Sequence, residues 1–449
     1  MGWGQLHDNP SYGDTCGSLR SVLIRYGYFH AHARSFLMAT TNYGPLSDYW
    51  AYALGAGIGY ESPEWKGFQF GLTGFFIFNV ASSPLGRIDS LSGLGNRYEI
   101  GLFDITDPEN RNDLDRLENL YLNYRYKNFN FRIGRQEVHT PFLNKQDGRM
   151  RGTLEEGIWL SLDDVKGFSM EGGYLRAISP RSTVNWYRIS ESMGVYPAGV
   201  NIYGQKSEYP GNLRSAGFFA LKLAYQWQDR FKVQFWDLFT ENIFNTAFLE
   251  LEGRFTLGSK WIFQPGFIAT RQDPVRCGGH CDPAKAYMPR GQSSNIFSGR
   301  LAFQKNSLRF SLNYTRITSH GRFLFPREWG REYFYTFMPR ERHDGLGNVH
   351  AAVARISYGF WGNRLTPTVA YGHFYLPDVR EYRLNKYGMP SFNQLNVEVR
   401  YNFTGYLKGF SIVGLLVYKG ALGNTYNQYR FIHNKVNMFN WNFILDYMF

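Results

Sequence analysis

The chain has 449 residues, 49 Lys and Arg against 37 Asp and Glu, a formal net charge of +12 and an aromatic fraction of 18%. No run of about 18 apolar residues occurs, which excludes a transmembrane helix but not a membrane-spanning strand, since a barrel strand needs only about 9–11 residues apolar on one face. The basic residues are dispersed through strand-like segments, with no stripe or recognised module, which argues against nucleic acid as a partner.

Segment 1–18 has no basic region followed by an apolar core. If the protein is exported, its signal peptide has been removed from this numbering or is absent from it. The length suits roughly two to four soluble domains, yet no linker, charge block or composition shift divides it. A single β domain over 1–449 resolves that conflict, and the high Tyr and Phe content favours strands.

Alternation with period 2 recurs along the chain. It covers 117–127 and 129–135, joined by the short turn YKN. In 219–228, Phe219, Leu221, Leu223, Tyr225 and Trp227 alternate with Ala220, Lys222, Ala224, Gln226 and Gln228. The turn WQDR leads to 231–239. Segment 249–257 ends at GSK, and 297–304 is joined to 307–315 by KNS. In 394–403, Leu395, Val397, Val399, Tyr401 and Phe403 share one face. Long irregular stretches separate these pairs, at about 82–116, 137–155, 178–213, 272–295, 319–348 and 376–392.

Alternating short and long connections predict an antiparallel up-and-down meander. A soluble sheet of this size would leave edges to protect, whereas a membrane barrel closes on itself. Aromatic pairs at strand ends, such as Tyr124 and Tyr126 or Tyr401 and Phe403, suit interfacial girdles. The chain ends WNFILDYMF, with Trp441, Phe443, Leu445, Tyr447 and Phe449 on one face. Segment 441–449 reads as the closing strand of an all-β transmembrane barrel, and its terminal aromatic resembles the signal that outer-membrane assembly machinery recognises.

Within 137–155 the charge density is high: Glu137, His139, Lys145, Asp147, Arg149 and Arg151. An extracellular loop does not need such density, but a loop folded into a wide aqueous lumen to form a selective ring does. Inward parity adds Arg125, Lys127, Arg132, Lys222, Lys232, Arg300, Arg309, Arg355 and Arg400 on the wall.

Several stretches resemble the OprD-type outer-membrane porins. RYGYFHAHAR is similar to that family's first strand and LGAGIGYESPEWKGFQFGLTGFFIFN to its second hairpin. NFRIGRQEVHTPFLNKQDGRMRGTLEEGIWL is the most specific match, and FLFPREWGREYFYTFMPRER a weaker one. The resemblance implies a monomeric barrel of about 18 strands with long loops folded inward. It also implies a ladder of basic residues, carried here by Arg125, Arg132, Arg135, Arg149 and Arg151. Arg135 has the apolar parity of its strand and joins the ladder only if the strand bends at Gly134. Glu328, Glu332 and Asp344, in the candidate constriction loop 319–348, stand for the opposing acidic side. This loop departs from the family pattern in its bulky aromatics, Trp329, Tyr333, Phe334, Tyr335 and Phe337.

The expected function is a substrate-selective porin in the outer membrane of a Gram-negative bacterium, passing carboxylates, amino acids or short peptides. Its expected partners are outer-membrane lipid and lipopolysaccharide, the barrel assembly machinery, those solutes and possible neighbouring outer-membrane proteins. The rival reading is a barrel with an occluded lumen that serves a larger assembly through loops such as 82–116 and 178–213. Enzyme motifs are missing: there is no G-x-S-x-G elbow, H-E-x-x-H or phosphate loop, and no cofactor is called for. Cys277 and Cys281, in RCGGHCDP, are candidates for a small disulfide loop, with a metal site including His280 as the alternative; Cys16 stands alone.

Overall fold

A computed structural model describes residues 27–145 and 148–449. The N-terminal segment 1–18, Cys16 and Asp147 lie outside the described residues. Among the described residues, eighteen strands close into an antiparallel barrel. They are β1 (Tyr28–Thr41), β2 (Tyr49–Glu61), β3 (Phe68–Ser82), β4 (Arg116–Tyr126), β5 (Phe129–Gln136) and β6 (Leu154–Val165). β7 (Phe168–Ser179), β8 (Phe218–Trp227), β9 (Phe231–Thr240), β10 (Phe244–Gly253), β11 (Trp261–Pro274) and β12 (Ser294–Lys305) follow. The last are β13 (Leu308–Ile317), β14 (Val349–Tyr358), β15 (Leu365–Tyr375), β16 (Phe392–Asn402), β17 (Phe410–Ala421) and β18 (Met438–Met448). Tyr187–Arg188 and Phe255–Leu257 are short additions that pair with β7 and β11.

Each strand bonds to the next, and β18 returns to β1 in a ladder from His32↔Met448 to Thr41↔Phe439. The terminal residue takes part: the Phe449 N–H donates to the Ala31 carbonyl at 2.9 Å and its own carbonyl accepts from Ala31 at 3.1 Å. Lipid offers no hydrogen bonds, so a chain that ends on a strand is stable only if the first strand takes up its free edge. Trp441 and Phe443 face outward, while Asn440, Asn442 and Asp446 are buried against the lumen.

Short turns occupy the periplasmic end. The links at 127–128, 166–167 and 306–307 place Lys127 (φ 52°), Lys166 (φ 55°) and Asn306 (φ 50°) in the left-handed region that tight two-residue hairpins require. Long connections occupy the extracellular end, at 83–115, 137–153, 180–217, 275–293, 318–348, 376–391 and 422–437.

Several of these loops fold into the barrel and build two apolar masses there. One joins the 137–153 and 318–348 loops to the inner wall from β8 to β16. In it Phe142 packs on Phe325 at 5.1 Å, Phe323 at 5.4 Å and Phe248 at 5.8 Å, and Trp329 meets Phe218 and Phe325, each at 5.5 Å. The Trp329 indole N–H donates to Ser192 Oγ at 2.7 Å, which satisfies its one polar atom. The other mass folds the 83–115 loop, through Tyr98, Leu102 and Phe103, onto Phe36, Phe75 and Met150. Inward-facing residues of the extracellular half are therefore often apolar, because loops and not water cover them.

A polar tie joins the first strand, the last strand and a constriction loop. Arg34 Nε donates to Asp446 Oδ1 at 2.6 Å, and another Arg34 nitrogen donates to the Arg149 carbonyl at 2.5 Å. His32 Nε2 lies 3.2 Å from the same carboxylate. Removing one partner of such a pair leaves a buried charge unmatched. Asp446→Ala should therefore cost about 3 kcal/mol and lower the temperature at which the barrel loses its resistance to SDS in a gel-mobility assay. Trp329→Ala, at a cost of about 3–5 kcal/mol, acts on the loop packing instead. It should leave the SDS-resistant barrel intact and speed tryptic cleavage within 318–348.

Candidate functional site: a basic seam between the lumen loops

Between the two apolar masses runs a polar seam supplied by four loops. Arg149 comes from the 137–153 loop, Arg181 and Tyr196 from 180–217, Arg340 and Arg342 from 318–348, and Tyr98 and Glu99 from 83–115. The loops are held to one another around it. Ser182 Oγ donates to the Gly101 carbonyl at 2.8 Å, and the Tyr196 hydroxyl donates to Ser182 Oγ at 2.9 Å. A Cβ on Gly101 would stand 2.8 Å from Arg149 Nε and 3.3 Å from Ser182 Oγ, so glycine lets the arginine close on that backbone. The Tyr98 hydroxyl donates to the Arg340 carbonyl at 3.2 Å.

The guanidiniums are positioned by neutral acceptors. Arg340 Nε donates to Asn440 Oδ1 at 2.7 Å, and a second nitrogen donates to Asn442. Arg342 donates to the carbonyls of Arg327 at 2.8 Å and Gly330 at 2.5 Å. Amides and carbonyls are thus among the groups that fix Arg340 and Arg342 in place. Burial, and then the repulsion of Arg340 and Arg181, lowers Arg149 well below the usual arginine range. Burial, followed by Arg181, brings both Arg340 and Arg342 down to about 10. Glu99 is one carboxylate coupled to this group. Burial raises its pKa although Thr40 and Asn96 donate to it at 2.5 and 2.7 Å. Four arginines converge here with two carboxylates, Glu99 beside Arg149 and Arg340 and Glu332 beside Arg342, an arrangement that suits an anionic solute.

The residues expected from sequence are dispersed. Arg125, opposite Asn130, lies on the inward face beside the periplasmic turn. Arg132 is also inward, with its guanidinium 4.3 Å above the Tyr121 ring and Nε donating to Asn123 at 3.1 Å. Arg149 is in the seam. Arg151 is buried beneath the 83–115 loop, where it donates to the Leu114 carbonyl. Arg135 keeps the outward parity of Ile133: although Gly134 has φ 122°, the ladder runs on through Leu120↔Arg135 and Arg135↔Glu156. It pairs with Glu156 at 3.1 Å on the outside of the wall, where the 71% exposed Arg176 pairs with the same carboxylate. His139 is exposed near Glu137, whose carboxylate binds Lys145 at 2.6 Å.

The three expected acids are engaged within the loops. Glu328 accepts from the Gly194 backbone at 2.6 Å. Glu332 accepts from both the backbone and the ring of His343, at 2.7 and 2.6 Å. Asp344 takes Arg327 at 2.9 Å, the Phe325 backbone at 3.0 Å and the Tyr387 hydroxyl at 3.2 Å. All three are buried, and of them Glu332 is coupled to Arg342, so 318–348 brings Arg340 and Arg342 to the seam with that carboxylate beside them. Sequence reasoning passed over Arg181, Arg340, Arg342, Tyr98 and Glu99. The available signal is the cluster MPRER at 338–342, whose two arginines close the stretch that resembles the family.

Cys277 and Cys281 form a disulfide in the 275–293 loop. Joined to each other, the two sulfurs are not thiolate ligands for a metal, and His280 Nδ1 accepts from the Asp282 backbone at 3.0 Å.

Residues 87–345 match the family model described as outer membrane porin, OprD family. No curated protein matches the chain. Among solved structures it is similar to OccK9 (OpdG) of Pseudomonas aeruginosa, with TM-score 0.73 and 15% identity, covering 95% of this chain and 99% of that one. Similar too are Acinetobacter baumannii OccAB3, with TM-score 0.72, 14% identity and coverage of 94% and 99%, and Pseudomonas aeruginosa OpdK, solved with vanillate, with TM-score 0.71, 14% identity and coverage of 95% and 99%. At these identities the structures show the shared barrel fold, and the sequence match spans more than half of the chain. The chain therefore belongs to the OprD family of porins, channels and not enzymes, of the Gram-negative outer membrane.

Proposed function

We propose that this porin selects small solutes bearing a carboxylate, and that the selecting step is passage through the seam formed by Arg149, Arg181, Arg340 and Arg342. The observation that carries this reading is the convergence of four arginines from three separate loops, with Glu99 coupled to Arg149 and Arg340 and Glu332 to Arg342. Arg125 and Arg132, on the periplasmic side of the wall, would extend the basic path below it. The family resemblance supports a selective channel, and a related barrel, OpdK, has been solved with vanillate, an aromatic carboxylate.

The burial of Glu328, Glu332 and Asp344 favours simple carboxylates over amino acids or peptides. A zwitterion needs a carboxylate to receive its ammonium group, and these three are already engaged. Physically, several weak charge-assisted contacts let an anion enter and leave, where one deep site would trap it.

The test is single-channel current in a planar bilayer across a salt gradient. The wild-type protein should show anion preference, and benzoate should block it. A hydrogen bond to a charged group is worth about 1.5–3 kcal/mol, so Arg149→Ala combined with Arg181→Ala should weaken that block roughly tenfold or more and move the reversal potential toward cation preference. Unchanged selectivity in the double variant would remove the seam from the selecting step. Glu99→Gln should strengthen anion preference, because it removes the carboxylate coupled to Arg149 and Arg340. Arg135→Ala, on the outside of the barrel, should leave both readings as they are. Folded and inserted protein that conducts no current would favour the occluded, partner-serving barrel.

A further inference from the structure

The lipid-facing wall carries a furrow of about 640 Å³ across β9 to β13. That volume falls within the roughly 300–1,000 Å³ of small-molecule sites. Its floor is made by small outward residues on neighbouring strands. Pro265 on β11 pairs with Leu301, and Gly299 on β12 pairs with Phe267 and Tyr314. A Cβ on Gly299 would meet no atom within 4 Å. Phe267, Leu301 and Tyr314 stand up as its walls and are 43–50% exposed.

A second feature lies toward the periplasmic end of the same surface. Lys305, the last residue of β12, has the outward parity of Gly299 and Leu301. Its ammonium sits 5.5 Å from the centre of the Trp261 ring. Tryptophan and lysine at a strand end mark the level of the lipid headgroups. From Lys305 to Gly299 is six residues, roughly 20 Å along a strand. With a strand tilt of about 40°, that corresponds to a depth of roughly 15 Å, half of the hydrocarbon core. The furrow at Gly299 thus lies about one acyl chain's depth from Lys305, and between them on the same face stand Phe263 and Phe303, stacked with ring centres 5.0 Å apart.

We propose that this furrow is a binding site for one glycerophospholipid of the periplasmic leaflet, its acyl chain laid along Gly299 and its phosphate paired with Lys305. Outward glycine is otherwise a poor choice for a lipid-exposed strand, since it contributes no side chain to packing. Here its lack of a side chain leaves room for the chain. The periplasmic position of Lys305, beside the short turn at 306–307, assigns the lipid to that leaflet and not to lipopolysaccharide.

The test is native mass spectrometry of the full-length protein in rising detergent, with phosphatidylglycerol added as the probe. One phosphatidylglycerol should outlast the remaining lipid. Gly299→Phe fills the furrow at a φ open to any residue, and Lys305→Glu reverses the charge; each should reduce the retained fraction at least tenfold. Single-channel conductance should stay unchanged in both, which separates this site from the seam in the lumen. Equal retention by Gly299→Phe would overturn the proposal. So would the loss of all lipid together at one detergent concentration, or the retention of lipopolysaccharide in place of phosphatidylglycerol.

Discussion

In hydrocarbon an unpaired backbone N–H or C=O has no water to turn to, and each costs several kcal/mol. That constraint forces β18 back onto β1, and the rest of the molecule is arranged around the closure. Eighteen strands enclose a lumen too wide for wall side chains alone to fill. The extracellular connections fill it, and they can enter only because apolar residues of the wall meet them: Phe218, Phe244 and Phe248 on one side, Phe36 and Phe75 on the other. The same closure brings Asp446 beside Arg34, and through Arg34 the barrel seam holds the backbone of Arg149. A loop that narrows the pore is thereby tied to the one strand pair that completes the barrel.

The chemistry of the lumen follows from which charges find partners. Carboxylates buried in a loop can be satisfied by backbone N–H groups and nearby cations, and Glu328, Glu332 and Asp344 are held in this way. Arginines offer donors in a rigid fork and take backbone carbonyls and amides as acceptors. Arg340 and Arg342 are fixed in part by such neutral groups. The net result is a basic seam within a loop that also carries many acids. The outer surface obeys the opposite rule, since it meets lipid chains and needs no polar partner until the headgroup level.

Much of the barrel was legible in sequence because a strand between lipid and water alternates with period 2, which is a local signal. The closing strand, the turns YKN and KNS, and the long loops at 319–348 and 376–392 were all readable in this way. Strands β14, β15 and β17 were harder to find. Their inward residues near the extracellular end, such as Ala351, Val353 and Val417, are apolar because loops cover them, so the alternation fades there. The same covering explains why charge density in 137–155 marked the right region but did not separate Arg149, in the seam, from Arg151, buried beneath another loop.

The sequence by itself determined the fold class, the family, the closing strand and the position of the long loops. It could do so because each rests on patterns within a few consecutive residues. Only the tertiary structure decided which charges face the pore. Arg340 is set by Asn440, 100 residues away, and Arg149 is held near Arg181 and Glu99 by loops from different hairpins. Parity assigns a side to a residue on a strand, but a residue in a loop acquires its surroundings from long-range packing, and the seam is made almost wholly of loop residues.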